Sequence, residues 1–140
     1  MPKVNYGLTQ PYAPLPMDPT LRPYVSVRLQ VGGRYLDTMG LIDSGADSSL
    51  FNEQYALGIG LDLSKGHVST TRGVGGQITL VYFDIFLTVR SHRFPARVGF
   101  SQQWPPQFGL LGRSDFFQAF NVGFDQRNQQ VLLHGLPSTD

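Results

Sequence analysis

Cysteine is absent from the chain. That excludes a disulfide framework, thiol catalysis and thiolate zinc sites. Charge is also sparse, at 15% of residues with a net of +1 and no run of basic residues, so the electrostatic footprint of a nucleic-acid binder is missing. No apolar run approaches the roughly 20 residues that a membrane helix needs. The N-terminus carries no apolar stretch of the signal-peptide kind, which makes a cytoplasmic chain the default expectation. The three histidines, His67, His92 and His134, lack metal-ligand spacing and read as surface or strand-edge positions, so no metal site is expected.

What is present points to β structure. A length of 140 residues suits one domain with a real core, and 41% hydrophobic with 12% aromatic residues argues for a packed fold. Sixteen glycines and ten prolines, among many Val, Phe and Thr, favour strands with frequent turns. Six of the ten prolines fall within residues 1–23, which predicts a proline-rich extension over 1–21, extended or irregular, lying as a tail or a strap. The folded domain is expected over 22–136, with 137–140 as a tail.

Within it, Val25, Val27, Leu29 and Val31 alternate with polar residues, Gly32-Gly33 fits a two-residue turn, and a return strand runs from Arg34 to Ile42. A helical turn over Asn52 to Leu57 is cut short by Gly58 and Gly60. His67–Thr71 and Gln77–Tyr82 flank Arg72-Gly73-Val74-Gly75-Gly76 as a glycine-tipped hairpin, and a phase slip between Leu80 and Val81 suggests a bulge. Phe94–Phe100 and Phe108–Gly112 read as strands separated by a Trp104-Pro105-Pro106 loop, with Trp104 as its anchor. Ser114 is placed to cap a brief helix through Phe120, with Asp115 at its positive end. Val122–Asp125 and Gln130–Leu133 close the chain as a hairpin.

The segment Leu41-Ile42-Asp43-Ser44-Gly45-Ala46-Asp47-Ser48-Ser49-Leu50-Phe51 holds an acidic turn between two apolar pairs. Those pairs draw the Asp43 carboxylate toward the edge of a core, where a lone charge is expensive, and so make it a candidate for chemistry. Taken alone, Asp-Ser-Gly also fits an Asx turn in which Asp43 bonds its own backbone. A phosphorylation-dependent recognition motif would need an exposed flexible segment, which the apolar flanks oppose.

Three motifs in order, apolar-apolar-Asp43-Ser44-Gly45-Ala46-Asp47, the glycine-tipped hairpin about 30 residues on, and Leu110-Leu111-Gly112-Arg113 before a helix, resemble the retropepsin family of aspartic proteases. The resemblance spans about Tyr24 to Leu133. It implies an all-β fold, a closed retropepsin-like β-barrel with a glycine-tipped flap hairpin and one short C-terminal helix. It implies an aspartic endopeptidase that needs two carboxyl groups, one to take a proton from water and one to donate to the scissile carbonyl. The chain has one such triplet, so the resemblance makes a second copy of the chain the partner, in a twofold homodimer with two Asp43 side chains. A polypeptide is the implied substrate, and neither a metal nor an organic cofactor is implied.

By the same resemblance, Asp43, Ser44 and Gly45 form the catalytic triplet, with the Ser44 hydroxyl bonding across the twofold axis. Ala46, Asp47, Gly73, Val74, Gly75, Gly76, Phe108 and Leu110 would face substrate. Arg113 would support Asp47 in a buried pair, costly to break from one side. Ile42, Val98 and Leu111 read as core, as does the side chain of Val74. Ala46 has no hydroxyl to donate to the carboxyl pair, which predicts a mildly acidic to near-neutral optimum. Because Gly135-Leu136-Pro137 interrupts any final strand, the way the termini would staple a dimer is not given by the resemblance. The alternative, from another functional class, is a catalytically silent dimerisation or peptide-binding module on the same fold.

Overall fold

The proline-rich N-terminal segment is extended, as read, but it is hydrogen-bonded rather than irregular. In the computed structural model, which describes residues 5–73 and 76–137, Leu8–Pro11 (β1) pairs antiparallel with the last strand of the chain, Gln130–Gly135. Ala13–Leu15 (β2) and Asp18–Arg22 (β3) then form a small two-stranded hairpin. Prolines are tolerated because these are edge and two-stranded positions, where a missing N–H leaves no ladder broken on both sides. Tyr12, between β1 and β2, is buried; its N–H donates to Gln129 O at 2.8 Å and its hydroxyl to Gln126 Oε1 at 3.0 Å. Arg90 adds a clamp, donating from Nη1 to Thr9 O at 3.1 Å and to Gln10 Oε1 at 3.0 Å.

The alternating run Tyr24–Val31 (β4) turns at Gly32-Gly33 into Arg34–Ile42 (β5), with Val31 opposite Arg34. Gly32 sits at φ +57°, the left-handed conformation that a two-residue turn asks of glycine. A short strand Leu50–Asn52 (β6) runs into a helix, Glu53–Gly58 (α1), capped by Asn52, whose side chain accepts from Gln54 N. A single 3-10 turn, Leu63–Lys65, precedes the hairpin of His67–Gly73 (β7) and Gly76–Val89 (β8). His92–Ser101 (β9), Gly109–Leu111 (β10), the four-residue helix Phe116–Ala119 (α2), Phe120–Asp125 (β11) and Gln130–Gly135 (β12) complete the order.

The chain is thus mostly β, with two short helices. Parallel pairings set β10 beside β5 and β6 beside β9, antiparallel ones join β4 to β5, β6 to β10 and β8 to β9, and β8 returns to β4 through Leu87 opposite Leu29. A separate three-stranded sheet runs in the order β1-β12-β11. The core lies between these layers. Val25, Val27 and Leu29 of β4 meet Ile85, Leu87 and Val89 of β8, and Phe116 stacks on Phe120 with centroids 4.9 Å apart. Phe94 of β9 packs edge-on to both rings, which fixes α2 against the sheet.

Two local expectations are corrected. The register of β8 runs without a shift through its pairings with β7, β9 and β4, from Gly76 opposite Gly73 to Val89 opposite His92, so the Leu80–Val81 phase slip is not a bulge. Leu80 faces inward in the hairpin half of this 14-residue strand, and Ile85, Leu87 and Val89 face inward in the other half. Strand twist turns opposite faces inward along its length. The helix cap is Asp115 rather than Ser114. Asp115 accepts from Phe116 N at 2.7 Å while Ser114 stays exposed.

Candidate active site

Asp43 is the first residue past β5. Its N–H donates to Leu111 O at 3.1 Å, which carries the β5–β10 pairing one step beyond the strand. Its Oδ1 accepts from Gly45 N at 2.8 Å, and its carbonyl accepts from Ala46 N at 3.2 Å. The Asx turn that Asp-Ser-Gly suggests is therefore present, and it holds the carboxylate in a fixed rotamer at the surface. Asp43 and Ala46 are half-buried, and Ser44 and Gly45 are exposed.

The turn is clamped from one side by the Gly-Arg segment. Arg113 N donates to Ala46 O and Ser114 N to Asp47 O, each at 2.9 Å, and Gly112 N donates to Ser49 Oγ at 3.1 Å. The two backbones approach so closely that no residue with a Cβ fits at Gly112. Ser49 is fully buried, donates its hydroxyl to Asp115 Oδ1, and receives Gly99 N on its carbonyl at 3.0 Å. Burial pushes the Asp115 carboxyl above the ordinary aspartate range, against the opposing hydrogen bonds from Ser49 and Phe116.

The Arg113–Asp47 ion pair forms, but it is not the buried pair expected from sequence. The side chains are 58% and 88% exposed, because both project from the outer face of the clamped turn. The backbone hydrogen bonds of this segment, rather than the ion pair, carry its support of the turn.

Phe108 is half-buried, packed edge-on against Tyr24 at 5.5 Å and Trp104 at 5.6 Å. Trp104 anchors its loop as expected, donating Nε1–H to Phe108 O at 2.7 Å, and Tyr55 of α1 donates its hydroxyl to Pro106 O at 2.7 Å. Leu110 is half-buried in β10, opposite Leu50 and beside Leu41. Ile42, Val98 and Leu111 are core, as read. In the glycine-tipped hairpin, Gly73 pairs with Gly76, while Val74 and Gly75 lie outside the described residues. The hairpin is tied to the site at its base by Tyr82 Oη, 3.4 Å from Ser48 Oγ. Further out, Gln103 accepts Thr79 N on Oε1 at 2.9 Å and donates Nε2–H to Gln77 O at 3.3 Å.

Sequence reasoning missed Ser49 and Asp115 as site-supporting residues. Each had a signal of the kind that singled out Asp43: a small polar residue against an apolar pair, Leu50-Phe51 for Ser49 and Phe116-Phe117 for Asp115. His67 and His134 are exposed, and His92 packs edge-on to Phe120 at 5.0 Å. Among the described residues no group of three or more His, Asp and Glu side chains is arranged to hold a metal ion, and no helix is long and apolar enough to cross a membrane.

Chemically, the arrangement presents one half-buried carboxylate on a hydrogen-bonded turn, whose far end meets the β7–β8 hairpin through Ser48 and Tyr82. Asp47 is engaged with Arg113 and Asp115 with Ser49, so neither supplies a second free carboxyl group beside Asp43. No protein-family model matches the chain, and no curated protein matches it.

Proposed function

We propose that the chain is one half of an aspartic endopeptidase of the retropepsin type, completed by a second copy of itself, with Asp43 of each subunit forming the carboxyl pair. The observation that carries the reading is the Asp43 turn. A single carboxylate is fixed by Gly45 N, joined to β10 through Leu111 O, and flanked by exposed Ser44 and Gly45. A turn of this shape, placed against its own copy across a twofold axis, brings two like carboxyl groups together, and such a pair shares one proton.

In the proposed reaction the ionised Asp43 takes a proton from water as the water oxygen attacks the scissile carbonyl carbon. The protonated Asp43 gives its proton to the carbonyl oxygen, forming a gem-diol. Collapse reforms the carbonyl, breaks the C–N bond and sends a proton to the leaving amine. The β7–β8 hairpin supplies the flap, and Phe108 and Leu110 supply apolar walls, which suits hydrophobic side chains flanking the cleaved bond.

Cleavage of an unstructured peptide library, with sedimentation of the same sample, tests both halves of the reading. The expected result is a dimer whose cleavage is abolished in Asp43→Asn and by a statine-type transition-state mimic. A verified dimer that cleaves nothing between about pH 3 and 8 overturns the peptidase reading in favour of a silent dimerisation or peptide-binding module.

A further inference from the structure

Among the described residues no carboxyl group other than that of Asp115 is buried, and its side chain has no role in the reaction proposed above. It is 5% exposed. Oδ1 is engaged by the Ser49 hydroxyl and by Phe116 N–H. Oδ2 has no hydrogen-bond partner and is closed to solvent. A carboxylate with one oxygen stranded out of water is costly, whereas a neutral acid at the same place is much less so.

Among the described residues no cation is paired with Asp115. On one side a cavity of about 290 Å³ brings His92 and Arg93 of β9 near Asp115, and on the other a cavity of about 350 Å³ brings Tyr82 and Asp84 of β8 and Arg97 of β9. On its own segment stands Arg113, taken by Asp47.

Ser49 joins Asp115 to the end of the Asp43 turn. It closes that turn, it receives Gly112 N on the same oxygen whose proton goes to Asp115, and its carbonyl is fixed to β9 by Gly99. Asp115 lines both cavities, so its ionisation draws water toward Oδ2 and rearranges the bonds that Oδ1 makes with Ser49 and Phe116. We propose that Asp115 is a positioning residue for Asp43: it holds Ser49, Ser49 holds the Ser44–Ser48 turn against Gly112, and the turn shifts when Asp115 changes its protonation state. The consequence for catalysis rests on the peptidase reading; the consequence for the turn does not.

The sign follows from proton binding. Unfolded, Asp115 loses its proton near 3.8, and folded it keeps the proton to higher pH. Between those values the folded chain binds more protons than the unfolded one, so stability falls as pH rises through the window and levels off above it.

The test is NMR across pH, by carbon-13 for the aspartate carboxyls and by proton and nitrogen-15 for the Ser49, Gly112 and Arg113 amides, in an Asp43→Asn background that removes the turn's own carboxyl. One carboxyl is expected to titrate above all the others, and the three amides are expected to shift with it. In Asp43→Asn/Asp115→Asn that component is absent, and the fall of melting temperature above pH 4 flattens. An Asp115 carboxyl that titrates with the surface aspartates overturns the proposal, as do amides that stay still while it titrates. The first of these needs no Asp115 variant, so a misfolded Asp115→Asn leaves it decisive. In the otherwise native chain, Ser49→Ala is expected to lower kcat by about tenfold to a hundredfold with KM little changed, as a displaced catalytic group does. Native kcat in Ser49→Ala overturns the positioning role. A native protein that cleaves no peptide speaks against the peptidase reading alone, and the NMR result then judges Asp115 by itself.

Discussion

Gly112 lies against Ser48 so closely that a Cβ at position 112 would stand 2.6 Å from the Ser48 carbonyl oxygen. The obstacle is backbone on both residues, so no rotamer change relieves it. Gly112→Ala must push β10 away from the Asp43 turn, and with it the Arg113 and Ser114 amides that clamp Ala46 and Asp47. The expected loss is at the upper end of the overpacking range, about 3 kcal/mol. Urea unfolding measures it, and a midpoint within experimental error of the native one would mean that this contact relaxes freely in solution.

The ion pair between Asp47 and Arg113 carries a different expectation. Both side chains face solvent in the single chain, so Asp47→Asn should cost less than about 1 kcal/mol of monomer stability. Under the peptidase reading Asp47 also faces substrate main chain, so the same variant should raise KM several-fold. Comparing urea midpoints with peptide kinetics separates the two effects. A large stability loss with unchanged KM would reverse the assignment.

Gln103 reaches the outer part of the β7–β8 hairpin from another loop, bonding Thr79 N and Gln77 O on the edge of β8 beyond its pairing with β9. Its amide occupies the place a further strand would take, and its own N–H is held by Ser101 Oγ at 3.0 Å. Gln103→Ala should therefore free the hairpin without unfolding the domain. Hydrogen exchange at the Thr79 amide is expected to quicken about tenfold, the equivalent of one lost hydrogen bond, with the melting temperature little moved. Unchanged exchange at Thr79 would show that the latch does not hold in solution.

The parts of this chain that were legible in its sequence share a short range. β4 and β5 follow from period-two alternation about Gly32-Gly33, and Asp43 stands out because Leu41-Ile42 and Leu50-Phe51 pull on both sides of one acidic turn. What escaped depends on partners far along the chain. Asp115 resembles any helix cap until α2 packs on β9 through Phe116, Phe120 and Phe94, and its carboxyl is then buried with Ser49 as partner. The Asp47–Arg113 pairing was legible, but its exposure was not, since that depends on which face of the turn the Gly112 segment covers. The Leu80–Val81 phase change was visible too, yet a twisting strand and a bulge leave the same mark in one dimension.

Tyr12 separates an extension that merely trails the domain from one that belongs to its core. It is 8% exposed, packs into the main hydrophobic cluster, and bonds both Gln126 and the Gln129 carbonyl, while β1 beside it covers β12 from Leu8 to Pro11. Removing a buried aromatic side chain of this size leaves a cavity that the flanking strands cannot fill without breaking their own ladder. Tyr12→Ala is therefore expected to cost about 3 kcal/mol or more in equilibrium unfolding. Tyr12→Phe, which keeps the ring and loses only the bond to Gln126, should cost about 1 kcal/mol. Native stability in Tyr12→Ala would return residues 1–21 to the status of a dispensable tail, whereas the expected ordering makes β1 a structural strand that any proteolytic trimming of the N-terminus must leave in place.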